Sequence, residues 1–173
     1  MTAKRDTIVI MKVISIDPGY ERVGIAIIEK LQSKEVLLFS ECFRTSPKIS
    51  HGGRLRLIGE EIERIIDEFQ PDTMAIETLF FNDNQKTAMA VSEARGVVIY
   101  EGARKGLTVR EFTPLEIKMA VTSYGRSDKQ QVIEMVKRLI IIPPSSKKLD
   151  DEYDAIAVGL TCFAYEKVNA IGL

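Results

Sequence analysis

Four carboxylates stand where chemistry would need them: Asp17, Glu77, Asp151 and Asp154. Asp17 ends the short apolar run at residues 13–17 (V-I-S-I-D), just before Pro18-Gly19 forces a turn. A carboxylate at the end of a buried strand is costly unless a partner or a metal compensates it. The plainer alternative is an aspartate that begins the turn, a common use of the residue. Glu77 follows Met74-Ala75-Ile76 in an apolar strand. Glutamate is disfavoured there and seldom buried without a partner, so the alternative is a strand end that reaches solvent. Asp151 and Asp154 lie three residues apart at a helix start, which puts both on one face. Like charges so placed repel unless a cation lies between them, although acids also favour first helical turns through the helix dipole. Asp150 and Glu152 add further acids, and choosing Asp151 over Asp150 rests on the spacing to Asp154. Ala155-Ile156-Ala157-Val158-Gly159-Leu160 follows without a polar residue. That stretch buries the helix from its second turn and directs its acidic start toward a site at the sheet edge.

Two strand ends and one helix start therefore supply the acids, and sites form at the C-terminal ends of neighbouring parallel strands. Hard oxygen donors without imidazole or thiolate favour Mg²⁺ or Mn²⁺. Two such ions about 3.5–4 Å apart suit in-line displacement at a phosphodiester. Other chemistries lack their parts. The sole histidine, His51, sits in Ser50-His51-Gly52-Gly53 and reads as a solvated loop residue with no triad around it. Cys42 and Cys162 have no metal-ligand spacing and form no disulfide framework, which suits a reducing compartment and buried packing.

The elements that must hold the acids are legible in outline. The 173 residues fit one domain over residues 1–173, with residues 1–10 read as an N-terminal extension or upstream start before Met11. Residues 13–17, 23–28 and 36–43 read as three strands whose short connections make an antiparallel meander. From Arg54 the period becomes helical, through Leu55, Ile58, Ile62, Ile65, Ile66 and Phe69, until Pro71. A strand at 73–78, a helix near 87–103 and a strand at 107–112 follow. Ser127 with Gln130 resembles a capping box opening a helix with Val132, Ile133, Val136, Leu139 and Ile140 on its apolar face. Asp151 opens the last helix, which runs to about Tyr165. The order βββαβαβαα implies an α/β fold with a mixed five-stranded sheet and helices on both faces. No apolar run is long enough to span a bilayer and the first residues lack a signal peptide's apolar stretch, so no membrane contact and a cytoplasmic location are expected. The 24 basic residues nearly cancel the 25 acidic ones. A nucleic-acid binder with this balance must keep acids in the site and bases around it.

Ile16-Asp17-Pro18-Gly19 with Val23-Gly24, Ala75-Ile76-Glu77, Ala94-Arg95-Gly96 and Asp151-Glu152-Tyr153-Asp154-Ala155 resemble the motifs of the RuvC Holliday junction resolvases, in order and in context, from about Lys12 to Tyr165. The resemblance implies an RNase H-like fold and a homodimer that places symmetric nicks in four-way junction DNA during recombination and repair. It also implies collaboration with the RuvAB branch-migration complex. By the same likeness Asp17, Glu77, Asp151 and Asp154 would hold two Mg²⁺ or Mn²⁺ ions. Phe80 would stack on unpaired bases near the crossover, and Lys118 and Lys129 would approach the DNA and the scissile phosphate. Read from the residues alone, Phe80-Phe81 is an exposed-looking aromatic pair, with Phe81 expected in the core. Lys118, Arg126 and Lys129 bracket the loop at 122–125 and either contact phosphate or merely solvate it. The helix from Thr87 has Ala88, Val91 and Ala94 on one apolar face and Ala90 and Val97 near another. Ala88, Val91 and Ala94 are therefore expected at a two-fold dimer contact. The competing readings are a silent junction binder, an RNase H acting on hybrids, and an actin-like ATPase, which would need a second domain.

Overall fold

The computed structural model describes residues 9–32, 34–79, 85–144 and 148–171. Three strands come first: β1 (Val9–Asp17), β2 (Arg22–Leu31) and β3 (Glu35–Arg44). Then follow α1 (His51–Phe69), β4 (Thr73–Glu77), α2 (Gln85–Arg104), β5 (Thr108–Phe112), α3 (Pro114–Thr122) and α4 (Lys129–Leu139). The short β6 (Ile140–Ile141) and the long α5 (Asp150–Ile171) complete the chain. The strands form one sheet in the order β5-β4-β1-β2-β3-β6. β1, β2 and β3 pair antiparallel, as their short connections demand. β4 joins β1, and β5 joins β4, in parallel across helical crossovers.

Alternation along the strands divides the core in two. Ile14, Ile16, Ile25, Ile27, Met74 and Ile76 pack against α1 and α2. Val13, Ala26, Ile28 and Ala75 point the other way, into α3, α4 and α5. Asp17 and Glu77 stand two residues after Ser15 and Ala75, so both acids emerge on the α5 face. Helix α5 is apolar around most of its circumference, with Ile156, Val158, Cys162 and Phe163 all buried. Burying each large side chain contributes roughly 1.5–3 kcal/mol. A Cβ on Gly159 would meet Ile28 Cδ1 at 2.6 Å and Ser15 Oγ at 2.8 Å, so α5 lies close against β1 and β2.

The sheet has six strands where five were expected. Ile140 leaves the helical conformation (φ −125°, ψ 145°) and pairs with Glu35 at the β3 edge, so α4 ends at Leu139. Its apolar character reflects a buried strand position, which helical spacing counted as one more turn. The first strand also begins at Val9, inside the stretch read as an extension. Helix α3 was unforeseen, although Thr113-Pro114-Leu115-Glu116 carries its start. Thr113 accepts from the Glu116 backbone, Glu116 reaches back to the Thr113 backbone, and Pro114 takes a first-turn position. The box opening α4 is Asp128 with Gln131, one residue later than expected. Ser127 is buried instead, and its hydroxyl donates to the Tyr124 carbonyl at 2.7 Å.

On the α1 face, Glu41 of β3 hydrogen-bonds Glu61 of α1. Burial, that hydrogen bond and the Glu61 charge push Glu41 up to about 7. Glu61 is held low, first by its hydrogen bond from Arg64. A raised carboxyl stabilises the fold fully below its unfolded pKa and loses that contribution as pH rises through the folded value. Glu41→Gln keeps a donor for Glu61 without needing a proton. Its melting temperature relative to wild type is expected to climb as pH goes from 5 to 8, and a difference that stays flat would count against the shared proton.

Candidate active site

β1 and β4 run side by side with Ile16 level with Ile76, so Asp17 and Glu77 end adjacent strands next to each other. The start of α5 crosses above β2 at Gly24, the cross-strand partner of Asp17. A Cβ on Gly24 would stand 2.1 Å from the Asp151 carbonyl oxygen and 3.1 Å from Asp17 Cβ. Only glycine permits that approach, and it brings the Asp151–Asp154 turn over the strand ends.

Crowding shows in the acids' protonation. Burial first, then the charges of Glu77, Asp154 and Asp151, hold the Asp17 carboxyl well above the usual carboxylate range. Burial, then the Asp154 charge, pushes Glu77 up to about 7, against a hydrogen bond with Asp17 and the charge of Lys118. Burial also raises Asp154, while Lys129 opposes. Lys129 Nζ lies 2.8 Å from Asp154 Oδ2 and 3.7 Å from Asp150 Oδ2. Asp151 Oδ2 accepts from Arg22 and lies 3.6 Å from the Cys42 thiol. Cys42 is thus half-exposed beside an acid, not the buried packing residue expected.

Three mutually repelling, partly desolvated carboxyls need positive charge, which a divalent cation supplies. The donor set is all carboxylate, which suits a hard ion. Among the described residues no three acidic, cysteine or histidine side chains converge on one cation position. Asp151 is turned to Arg22 and Asp154 to Lys129, so cation binding requires those two side chains to turn inward. Beside the acids lies a cleft of about 280 Å³, lined by Glu77, Asp154, Lys118, Lys129 and Asp128. Lys118 reaches it from α3. Arg126 is exposed on the α3–α4 loop. Phe80, with its neighbour Phe81, lies outside the described residues.

The family model for crossover junction endodeoxyribonuclease RuvC matches residues 13–162. The chain belongs to this family. The RuvC of Finegoldia magna is 48% identical over 150 residues, covering 87% of this chain and 91% of that one. The RuvC of Desulforamulus reducens is 41% identical over the same share of each. Among solved structures, Thermus thermophilus RuvC in complex with Holliday junction substrate superposes with a TM-score of 0.86 at 27% identity, covering 92% of this chain and 96% of that one. The fold is thus RNase H-like and the enzyme class is crossover junction endodeoxyribonuclease, as the sequence motifs implied.

Several residues of this RuvC-family site carry weight that sequence patterns did not reveal. Arg95, within the Ala94-Arg95-Gly96 motif, donates from Nε to the Glu77 carbonyl at 3.0 Å and pairs with Glu111 of β5. It ties the end of β4, and so the base of Glu77, to its neighbour. The loop after Asp17 is pinned in the same manner. Buried Arg54 stacks over the Tyr20 ring at 3.6 Å and donates to the Tyr20 carbonyl at 3.3 Å. Thr45 donates to that carbonyl at 2.7 Å. His51 is exposed, as expected, but it is not in a loop: it is the first residue of α1, after Ser50 as N-cap. Its Nδ1 shares a hydrogen bond with Tyr20 Oη at 2.8 Å, and Nε2 lies 2.7 Å from Glu93 of α2. A lone histidine between Ser50 and two glycines offered no signal of partners as distant in the chain as Tyr20 and Glu93.

The expected dimer contact needs correction at Ala94. Ala94 is 1% exposed and packs into the α1–α2 core, so it is not available to a partner. Ala88 and Val91 are half-buried. The outward face of α2 carries Met89 and Tyr100, 66% and 62% exposed, with Gly96 open between them. Val97 of the second stripe lies against Gly59 of α1, and the outward Met89 and Tyr100 belong to neither apolar stripe that helical spacing identified.

The Gly24 contact makes a direct prediction. Gly24→Ala drives a methyl into backbone, which cannot rotate away, and must push the start of α5 outward. A loss of roughly 1–3 kcal/mol of stability is expected from overpacking. Junction cleavage should fall about 100-fold, since about 1 Å of misplacement can cost that much. Near-normal cleavage rates in the purified variant would refute the role assigned to this contact.

Proposed function

We propose that this chain resolves Holliday junctions as a homodimer, with each protomer hydrolysing one phosphodiester in strands of like polarity. Asp17, Glu77, Asp151 and Asp154 would hold two Mg²⁺ or Mn²⁺ ions at each site. The observation that carries the reading is geometric: Asp17 and Glu77 end adjacent parallel strands, and the α5 turn carrying Asp151 and Asp154 lies over them at Gly24. Family membership supplies the substrate class.

Bound cations would activate the attacking water and stabilise the leaving 3′ oxygen, with a 5′-phosphate as product. Asp17 lies between Glu77 on one side and the α5 turn on the other, and would be the central residue of the set that holds the cations. Glu77, backed by Arg95, and Asp151 flank it. Asp154 pairs with Lys129 at the cleft and is suited to complete a coordination shell or to take a proton. Lys118, in the same cleft as Glu77, is suited to neutralise charge developing on the phosphate. Lys129 and Arg126 would contact the DNA backbone, which positions the duplex without reading its sequence. Phe80 would stack on an unpaired base, an interaction worth about 1–3 kcal/mol. We assign the two-fold contact to the outer face of α2, through Met89, Gly96 and Tyr100. The whole chain would act as one nuclease domain in the cytoplasm, supplied with junctions by RuvAB. No helix among the described residues is long and apolar enough to cross a membrane.

Asp17→Asn preserves shape and removes a cation-binding charge. Its cleavage of a synthetic four-way junction in Mg²⁺ should fall by about a thousandfold or more, a few kcal/mol of transition-state stabilisation. Junction binding in Ca²⁺ should persist, and a variant that still cuts would remove Asp17 from the site. Separately, Met89→Glu combined with Tyr100→Glu puts charge on the outer face of α2. Light scattering should then report a monomer, and cleavage should yield single nicks instead of resolved duplexes. A double variant that remains dimeric would place the two-fold contact elsewhere.

A further inference from the structure

We propose that Arg22 and Arg44 form a phosphate-binding pair that grips the DNA backbone at the sheet side of the active site, with Asp151 holding Arg22 until cation and DNA arrive. The inference rests on the nuclease reading above and adds a second basic flank to it.

Arg22 opens β2 and Arg44 closes β3, and they are direct cross-strand partners. Two residues on, Gly24 faces Cys42 in the same register. By strand alternation all four residues share the face on which α5 begins. Like charges directly opposite each other destabilise a strand pair. The position therefore calls for an anion. In the DNA-free protein Asp151 serves Arg22, whose side chain is still 47% exposed. Arg44 is exposed and has no ion pair among the described residues.

Asp151 cannot serve two cations fully. Its Oδ2 already accepts from Arg22, with the Cys42 thiol at 3.6 Å. When Asp151 turns inward to hold a divalent ion, Arg22 loses most of its counter-charge. The anion that then arrives at this edge is a phosphate of the substrate strand. A guanidinium presents a planar fork that matches two phosphate oxygens. Two guanidiniums on neighbouring strands offer such forks side by side.

The platform is rigid. Glu21, beside Arg22, accepts through its carbonyl from the Thr45 amide at 3.0 Å, and Thr45 is the residue after Arg44. Buried Arg54 donates to Thr45 Oγ1 at 2.9 Å. Little ordering of backbone is left to be done on binding. The cleft with Lys118 and Lys129 lies beyond the acids, toward α3 and α4, so a bound strand would pass over the carboxylates between two basic flanks.

The test uses the full-length protein and Arg22→Gln, Arg44→Gln and the double variant, with Arg→Lys at each position as charge-preserving controls. Affinity for a four-way junction is measured in Ca²⁺ across a potassium chloride series. Each Gln variant should lower the slope of log affinity against log salt by about one, and the double by about two, with Lys restoring most of it. Between 50 and 200 mM salt that amounts to about a threefold difference per arginine. In the absence of DNA, Arg22→Gln should bind Mn²⁺ several-fold more tightly in a paramagnetic titration, because a competing cation is gone. Arg44→Gln should not change Mn²⁺ binding. Unchanged salt slopes in variants that melt like wild type would overturn the proposal. So would weaker Mn²⁺ binding by Arg22→Gln, which would make Arg22 a positioning residue for Asp151. Wild-type protein that does not prefer the junction over duplex would instead overturn the functional reading beneath it.

Discussion

The contact on which the rest depends is the approach of α5 to the sheet over Gly24. Backbone of the helix start lies where a side chain of β2 would otherwise stand. Gly159 repeats the condition near the middle of the helix, against Ser15 and Ile28. Between these two points α5 is buried, and its apolar burial holds the acidic first turn against the ends of β1 and β4. Hydrophobic packing thereby offsets the cost of crowding carboxylates that repel one another and are short of water.

That crowding makes the site what it is. Burial comes first in raising the affinity of Asp17, Glu77 and Asp154 for protons, and the charges of neighbouring carboxylates add to it. The surrounding cations come from separate elements: Lys118 on α3, Lys129 on α4 and Arg22 on β2. A chain of net charge −1 can thus present an acidic centre inside a basic rim. The same separation explains why the overall charge carries no sign of a nucleic-acid substrate.

Legibility in the sequence followed the range of the physics. Short apolar runs put Asp17 and Glu77 at strand ends, where the structure has them, because such runs are local and both strands are buried on both faces. Apolar spacing found α1, α2, α4 and α5, and missed α3, whose signal lay in the Thr113-Pro114-Glu116 cap and not in its periodicity. It carried α4 through Ile140 because a buried strand position and one more helical turn look alike in hydrophobicity. It put Ala94 of α2 at a subunit contact, whereas Ala94 went to the core and Met89 and Tyr100, which belong to neither apolar stripe, went outward.

The sequence by itself determined the acids, their hard-donor chemistry, the order of the elements apart from α3 and β6 and, through its motifs, the family. These depend on residue type and short spacing. Tertiary structure alone decided that Asp151 faces Arg22 across 129 residues, that Arg95 braces Glu77, and that His51 joins Tyr20 to Glu93. It also set Arg22 and Arg44 opposite each other. Such partners are chosen when distant segments pack, and no local period records which side chain will be waiting there.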